Sequence, residues 1–341
     1  MLYLVLVLSF FTNSAGLFQI ISSSKPAKVV AVTGASGLLG EVLVKALESK
    51  NYSVRRLTSS SKVGENVFNW TPGSKDKEGF VNPEALEGVG AVIHLAGENI
   101  ASGDSSQGPF SLLGRWTEAK KEKILVSRTS GTKTIVTAIS KLKKKPSTLI
   151  CASAVGYYGY TDSQTTYTEA SIGKGEGFLA DVCDAWEKEA SKCKGTRNLS
   201  MRFSVILSEK GGVVGKLLPL FSLGAGGNFG SGKQAFSWVS VDDAAAAIIF
   251  ALENQKLSGP VNVCSPNPVT NEIFTQALAK ALNRPAVFPL PEFAGRLVFG
   301  QFGEETILGG QKVVPQKLIK NGFKFVDEDI FDTLKLLVQR K

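Results

Sequence analysis

Three glycines at three-residue spacing, Gly34, Gly37 and Gly40, are the residues whose pattern points most directly to chemistry. They follow the apolar run Val29-Val30-Ala31-Val32-Thr33 and lead into Glu41-Val42-Leu43-Val44-Lys45-Ala46-Leu47. The order is strand, tight turn, helix. Such a turn lays a pyrophosphate on a helix N-terminus, where free N–H groups and the helix dipole favour negative charge. Gly34 lets the chain turn, Gly37 lets the backbone approach the phosphates, and Gly40 lets helix and strand pack closely. The candidate cofactor cradle is Gly34, Ala35, Ser36, Gly37, Leu38, Leu39 and Gly40. A tight turn without a ligand would show the same glycines, but here they sit in the required strand-to-helix context.

Two further segments carry candidate groups. His94-Leu95-Ala96-Gly97 closes the buried run from Gly90, and its small residues would let the backbone approach a ribose. His94 by itself reads as a near-core histidine. Ser153 ends the run Leu149-Ile150-Cys151-Ala152-Ser153 and is followed by Ala154-Val155-Gly156-Tyr157-Tyr158-Gly159. Aromatic packing around a glycine turn would account for Tyr157 and Tyr158 without any chemistry. A third segment, Arg55-Arg56-Leu57-Thr58-Ser59-Ser60-Ser61-Lys62, ends a strand without an acid. An Asp or Glu there would accept from the ribose 2′-hydroxyl of NAD. Hydroxyls beside Arg and Lys suit the 2′-phosphate instead, so NADP (NADPH) is the expected cofactor.

The elements that must position these groups alternate. Strands are expected at 28–33, 52–57, 90–97, 147–153 and 199–205, with helices at 37–49, 116–144 and 177–192. Alternation of this kind gives an α/β fold, a Rossmann doubly wound parallel sheet whose active groups lie at the carboxyl ends of the strands. From about residue 207 the pattern changes. Gly224 to Gly232 reads as a flexible loop, Phe236 to Asp243 runs into an alanine-rich helix, and prolines at 285, 289, 291 and 315 break the tail. The chain therefore divides into a targeting segment (1–27), an NADP-binding Rossmann domain (28–206) and a C-terminal part (207–341). The last is mostly a small α/β substrate lobe, with elements returning to the Rossmann core. Asp242 and Asp243 read as helix caps, and 104–109 as a surface insertion.

With 341 residues, 43% of them apolar, the chain can bury a full core. Lys and Arg number 39 against 30 Asp and Glu, a net charge of +9. Much of the excess lies in runs such as Lys141-Leu142-Lys143-Lys144-Lys145, which suit a solvated helix end followed by Pro146. No aromatic residues interleave them, so a nucleic-acid partner is not expected. The four cysteines lack metal-ligand spacing and there is one histidine, so no metal is expected. Leu2 to Phe11 is apolar but too short to span a bilayer, and small residues follow it. The serine- and lysine-bearing, acid-free 17–28 then has transit-peptide composition. Together they resemble bipartite plastid targeting, which leaves no stable membrane span in the mature chain.

The spacing GxxGxxG resembles the extended short-chain dehydrogenase/reductases. Further segments narrow the resemblance: Glu98-Asn99-Ile100, Gly114-Arg115-Trp116-Thr117, Ser127-Arg128, Phe236-Ser237-Trp238, Gly259-Pro260-Val261-Asn262-Val263 and Pro266-Asn267-Pro268-Val269-Thr270-Asn271. Together with the segments above they resemble, over residues 28–338, the atypical "epimerase family protein" (cell-division inhibitor-like) group. The resemblance implies a Rossmann domain holding NADP and a C-terminal lobe, but no substrate. It implies cofactor contacts at the glycine loop, at His94, Leu95, Ala96 and Gly97, and near Ser59, which stands where an arginine would be expected. It implies a carbonyl-orienting role for Ser153; if the chain is an enzyme, Tyr157 or Tyr158 would serve as the proton donor, with Arg115 or Lys120 orienting an anionic substrate.

Hydride transfer in that superfamily uses Tyr-x-x-x-Lys, the lysine helping the phenol exchange a proton near neutrality. None of the six tyrosines here has lysine four residues later, and Phe178 and Val182 occupy the expected positions. Two functions stay open. One is an oxidoreductase or epimerase-like enzyme acting on an unknown small molecule with a non-standard proton donor. The other is a non-catalytic NADP-binding scaffold or redox sensor with a protein partner, in plastid division or assembly.

Overall fold

A computed structural model describes residues 28–60, 64–102, 115–160 and 165–340. The chain begins with β1 (Lys28–Thr33), α1 (Leu38–Ser49), β2 (Tyr52–Thr58), β3 (Val67–Thr71), β4 (Phe80–Val81), α2 (Pro83–Leu86) and β5 (Ala91–His94). Next come α3 (Glu118–Ser140), β6 (Thr148–Ala154), a 3-10 turn (Val155–Tyr158), β7 (Thr166–Tyr167), α4 (Phe178–Ser191) and β8 (Arg197–Phe203). They are followed by β9 (Val205–Ser208), α5 (Gly212–Ser222), β10 (Ala235–Phe236), β11 (Trp238–Ser240), α6 (Val241–Glu253), β12 (Gly259–Val263), β13 (Val269–Thr270) and α7 (Asn271–Leu282). Last are α8 (Glu292–Gly303), a π-helical turn (Glu304–Leu308), β14 (Lys312–Val313), α9 (Gln316–Lys320) and α10 (Ile330–Gln339).

Eight strands form one sheet in the order β12-β8-β6-β5-β1-β2-β3-β4, parallel except between β3 and β4. The strand order reverses between β1 and β5, where Thr33 lies opposite His94. The carboxyl ends there flank the crevice in which doubly wound sheets bind ligands. The expected Rossmann α/β architecture is therefore present.

The apolar runs become central strands because both faces of the sheet are covered, which removes the need for alternation. Val30, Val32 and Ile93 pack with Leu43 and Leu47 of α1 and Ala244 and Ile248 of α6. Ala31 and Val92 pack on the other face with Ile135 and Ile139 of α3. Each such leucine or isoleucine contributes roughly 1.5–3 kcal/mol by leaving water. Helix α3 starts where the Thr117 side chain accepts from the Lys120 amide. It buries a stripe of Ile124, Gly131, Ile135 and Ile139. It ends at Ser140, and the lysines at 141, 143, 144 and 145 beyond it are exposed, as a solvated helix end should be.

The C-terminal part has its own core, built on Leu218, Phe221, Trp238, Phe274, Leu278, Leu334 and Leu337. It also returns β12 to the main sheet, beside β8. Two readings need correction here. The glycine-rich 224–232 is tied down: Phe288 donates to Gly226, Leu290 to Asn228 and Gly230 back to Leu290, at 3.0, 2.8 and 2.9 Å. The cap of α6 is Ser240, whose hydroxyl accepts from the Asp243 amide. The buried Asp243 carboxylate instead accepts from the Val326 and Asp327 amides, and Asp242 pairs with Arg340. A carboxylate two or three residues inside a helix can turn outward to a distant backbone, which local spacing does not reveal. The proposed insertion 104–109 and the targeting segment lie outside the described residues. Among the described residues, no helix is long and apolar enough to cross a membrane, and no acidic, His or Cys cluster suits a metal.

Candidate active site at the strand ends

The glycine turn has the form a phosphate needs. Gly34 sits at φ +68°, and a Cβ there would come within 2.9 Å of the Ala96 nitrogen. A Cβ on Gly40 would fall 2.0 Å from the Gly34 carbonyl, so strand and helix touch at backbone level. Gly37, the N-cap of α1, supplies no side chain to the helix amides. Ser36 and Gly37 are exposed, while Gly34, Ala35 and Leu38 are half-buried and Leu39 and Gly40 buried. An uncapped N-terminus open to solvent is a ready anion seat. These residues fit a dinucleotide pyrophosphate.

The end of β5 is fixed by Thr33. Its hydroxyl accepts from the Leu95 and Ala96 amides, each at 3.2 Å. Both lone pairs are then used, so the hydroxyl proton points to His94 Nδ1 at 2.7 Å. That places the ring hydrogen on Nε2, which has no hydrogen-bond partner among the described residues. The ring meets Trp70 edge-on with centroids 5.6 Å apart. Burial lowers the His94 pKa to about 4, so the imidazole is neutral at ordinary pH. His94 is thus a core residue that shapes the strand end, as its type suggested. Gly97 lies against the Arg128 guanidinium, which is stacked 5.0 Å from the Trp186 ring centroid.

At the end of β2, Thr58, Ser59 and Ser60 carry hydroxyls and no acid, and Ser59 is exposed. The two arginines are committed elsewhere. Arg55 donates to the carbonyls of Glu84 and Glu87, and Arg56 pairs with Glu48 of α1. Strand alternation turns each toward a different neighbouring helix.

Ser153 stands at the end of β6, opposite Arg202 of β8. Its hydroxyl lies 2.6 Å from Glu187 Oε1 of α4. Arg202 holds both oxygens of that carboxylate, Nε to Oε1 at 2.7 Å and Nη2 to Oε2 at 2.8 Å. Burial opposes the guanidinium charge, but the Glu187 bonds and charge outweigh it and raise the Arg202 pKa. Tyr157 lays its half-buried ring 3.5 Å from the guanidinium carbon, close enough for a cation–π contact.

Tyr158 turns the other way. It is 1% exposed, receives Arg202 Nη1 at 3.0 Å, and lies 2.8 Å from Asn262 Oδ1 and 3.0 Å from the Thr168 carbonyl. Burial raises its pKa although Arg202 opposes the shift. A phenol so enclosed packs as a core group, which argues against Tyr158 as the proton donor.

Phe178 packs on Trp116 with centroids 5.2 Å apart, and Val182 is buried beside Trp116, Ile124 and Phe302. No proton carrier occupies those two positions. Lys120 is buried on Glu98 and Ser102, so it is spent inside the protein and does not face a substrate. Arg115 donates to the Leu297 carbonyl.

Sequence reading missed Glu187, Arg202 and Glu305. Glu187 falls four residues after the buried Cys183 on the inner face of α4, and Arg202 sits in an otherwise apolar strand. A charge at a core position demands a partner, and that was the available signal. The Glu305 carboxylate, 4% exposed, accepts from the Phe178 and Leu179 amides at 2.9 and 2.8 Å, capping α4.

Comparisons with known proteins identify the family and the fold. Residues 30–264 match the model of the NAD dependent epimerase/dehydratase family, and 290–337 that of a domain of unknown function, DUF1731. Epimerase family protein Mb2239 of Mycobacterium bovis is 38% identical over 308 residues, 90% of this chain and 96% of that one. The Arabidopsis thaliana epimerase family protein SDR39U1 homolog, chloroplastic, is 36% identical over 93% of this chain and 89% of its own. The crystal structure of human epimerase family protein SDR39U1 (isoform 2) with NADPH superposes at a TM-score of 0.79. It is 28% identical and covers 92% of this chain and 100% of that one.

Proposed function

The chain belongs to the NAD dependent epimerase/dehydratase family, and from that premise we propose that it is an NADP(H)-dependent oxidoreductase or epimerase-like enzyme acting on a small molecule. The observation that carries the reading is the open, uncapped turn Gly34–Gly40 beside the β1–β5 switch point. Leu38, Leu39 and Gly40 would offer amides to the pyrophosphate, and Leu95, Ala96 and Gly97 would line the ribose. The acid-free end of β2, with Ser59 exposed, favours NADP over NAD. A bound nicotinamide would supply hydride exchange at the carbon bearing the reacting oxygen. Ser153 meets the reacting oxygen there, and Tyr157 walls the site over Arg202.

The experiment is an equilibrium fluorescence titration with NADPH and NADH. At least tenfold tighter binding of NADPH is expected, and equal affinities would remove the NADP preference.

Phe178 and Val182, which carry no proton, favour a second reading: a cofactor-binding scaffold or redox sensor with a protein partner. It predicts NADPH binding with no oxidation across a carbonyl panel, and a partner whose affinity follows cofactor state. A plastid destination rests on the composition of 1–27 and the chloroplastic name of the Arabidopsis relative, since bacterial relatives also exist. Imaging a fluorescent fusion of the full chain tests it.

A further inference from the structure

We propose that a cleft on the outer face of α3 binds a small amphipathic anion, an apolar chain ending in a carboxylate. The cleft has a volume of about 520 Å³, within the roughly 300–1,000 Å³ that small-molecule sites occupy. No residue assigned above to cofactor or substrate lines it, so the proposal goes beyond the cofactor reading and does not depend on it.

Two walls enclose the cleft. One is a stripe of α3, Ser130, Lys133, Thr134, Thr137, Ala138 and Lys141, whose three- and four-residue spacing sets them on one side of the helix. The stripe is roughly 16 Å long at the helical rise. The other wall is the connection between β3 and β4, continued by Pro83 and Leu86 of α2. That connection is anchored on α3: Thr134 Oγ1 lies 3.0 Å from the Pro72 carbonyl. A Cβ on Gly79 would fall 2.0 Å from the same oxygen, so the hairpin backbone abuts the helix. The cleft is thus set by the fold and needs no occupant to form it.

Its floor is apolar. Val81 and Leu86 belong to the core beneath α3, and the partly buried Ala138 and Leu142 pack against them. Covering such a floor removes apolar surface from water, which favours an apolar occupant.

The rim is basic. Lys77, Lys133 and Lys141 are exposed, and among the described residues their ammonium groups have no ion-pair or hydrogen-bond partner. Lys75 is neutralised by Glu122 at 2.6 Å. Asp76 and Glu78 also stand on the rim, but both are on the loop, and the α3 side carries lysines without an acid. A negative head is therefore favoured on that side. The cleft follows the C-terminal half of α3, where the helix dipole opposes negative charge, so a single charge suits it better than a phosphate dianion.

The test is calorimetry of the full chain with three probes that share one chain and differ in the head: octanoate, octan-1-ol and octylammonium. Octanoate is expected to bind at least tenfold tighter than the other two, and saturating NADPH should leave its affinity within twofold. Equal binding of the three, displacement by NADPH, or no octanoate binding would overturn the proposal. If the chain binds no NADPH, the proposed function falls, and the octanoate series still judges the cleft.

Two variants locate the site. Lys133→Gln combined with Lys141→Gln should weaken octanoate at least tenfold, and Thr137→Trp should fill the cleft and abolish binding. All three positions are exposed, so both variants should keep the unfolding midpoint of the parent. Unchanged octanoate binding in either folded variant would put the probe elsewhere and overturn the site.

Discussion

Glu305 caps a helix to which it does not belong: its carboxylate receives the Phe178 amide at 2.9 Å across 127 positions of sequence. The same carboxylate receives Leu179 and the Gln301 side chain, both at 2.8 Å. Gly177, the N-cap of α4, has no side chain for this task. The segment matching DUF1731 thus completes a helix of the dinucleotide-binding unit.

Replacing Glu305 with Gln should cost about 1 kcal/mol, and with Ala roughly 2–3 kcal/mol, because the Ala variant leaves buried amides without acceptors. Denaturant unfolding of the full chain reads the difference. Equal stability of the Ala variant and the parent would show that the cap contributes nothing.

His94 makes stability depend on pH in a defined direction. Its folded pKa is about 4 against about 6.5 when unfolded, so between these values the unfolded chain binds more protons. The stabilisation is complete above about pH 6.5 and is lost as pH falls toward 4, by about 3 kcal/mol in all. Urea unfolding of the parent and of His94→Gln at pH 4.5 and 7.5 should show a steeper loss in the parent. Parallel losses would contradict the assignment.

Tyr158→Phe should lower stability by about 1–3 kcal/mol, because Arg202 and Asn262 each lose a buried partner. NADPH affinity should stay within twofold. Weakened cofactor binding at unchanged stability would return Tyr158 to the active site.

Arg202→Met strips the buried Glu187 carboxylate of its counter-ion and should cost about 3–5 kcal/mol. Adding Glu187→Leu to that variant should recover part of the loss, since the unpaired charge is gone. A double variant no more stable than Arg202→Met would show that the pair does not account for the cost.

Which of these features were legible beforehand follows from the range of the interactions. Gly34, Gly37 and Gly40 announced themselves because a turn is encoded by adjacent residues. Ser153 was placed by the end of its apolar strand. Tyr157 and Tyr158 are neighbours with opposite surroundings, and only the 3-10 turn decides which ring goes inward. Glu187 is 34 residues from Ser153 and Glu305 is 127 from Phe178, so the partner of each is set by topology. Arg55 and Arg56 looked available because the carbonyls and carboxylate that hold them lie on other elements.

The central claim is that the glycine turn seats a phosphate, and Gly37 offers the cleanest test. Its φ of −81° suits any residue, and a Cβ there would meet only the Gly34 carbonyl, at 3.3 Å. Gly37→Val should therefore fold with little change in Tm while its side chain blocks the amides of α1. NADPH titrated into the parent and into Gly37→Val is the measurement to make. Tight binding by the parent and at least a hundredfold weaker binding by a folded variant is the predicted result. Equal binding by both, or none by the parent, would contradict the account.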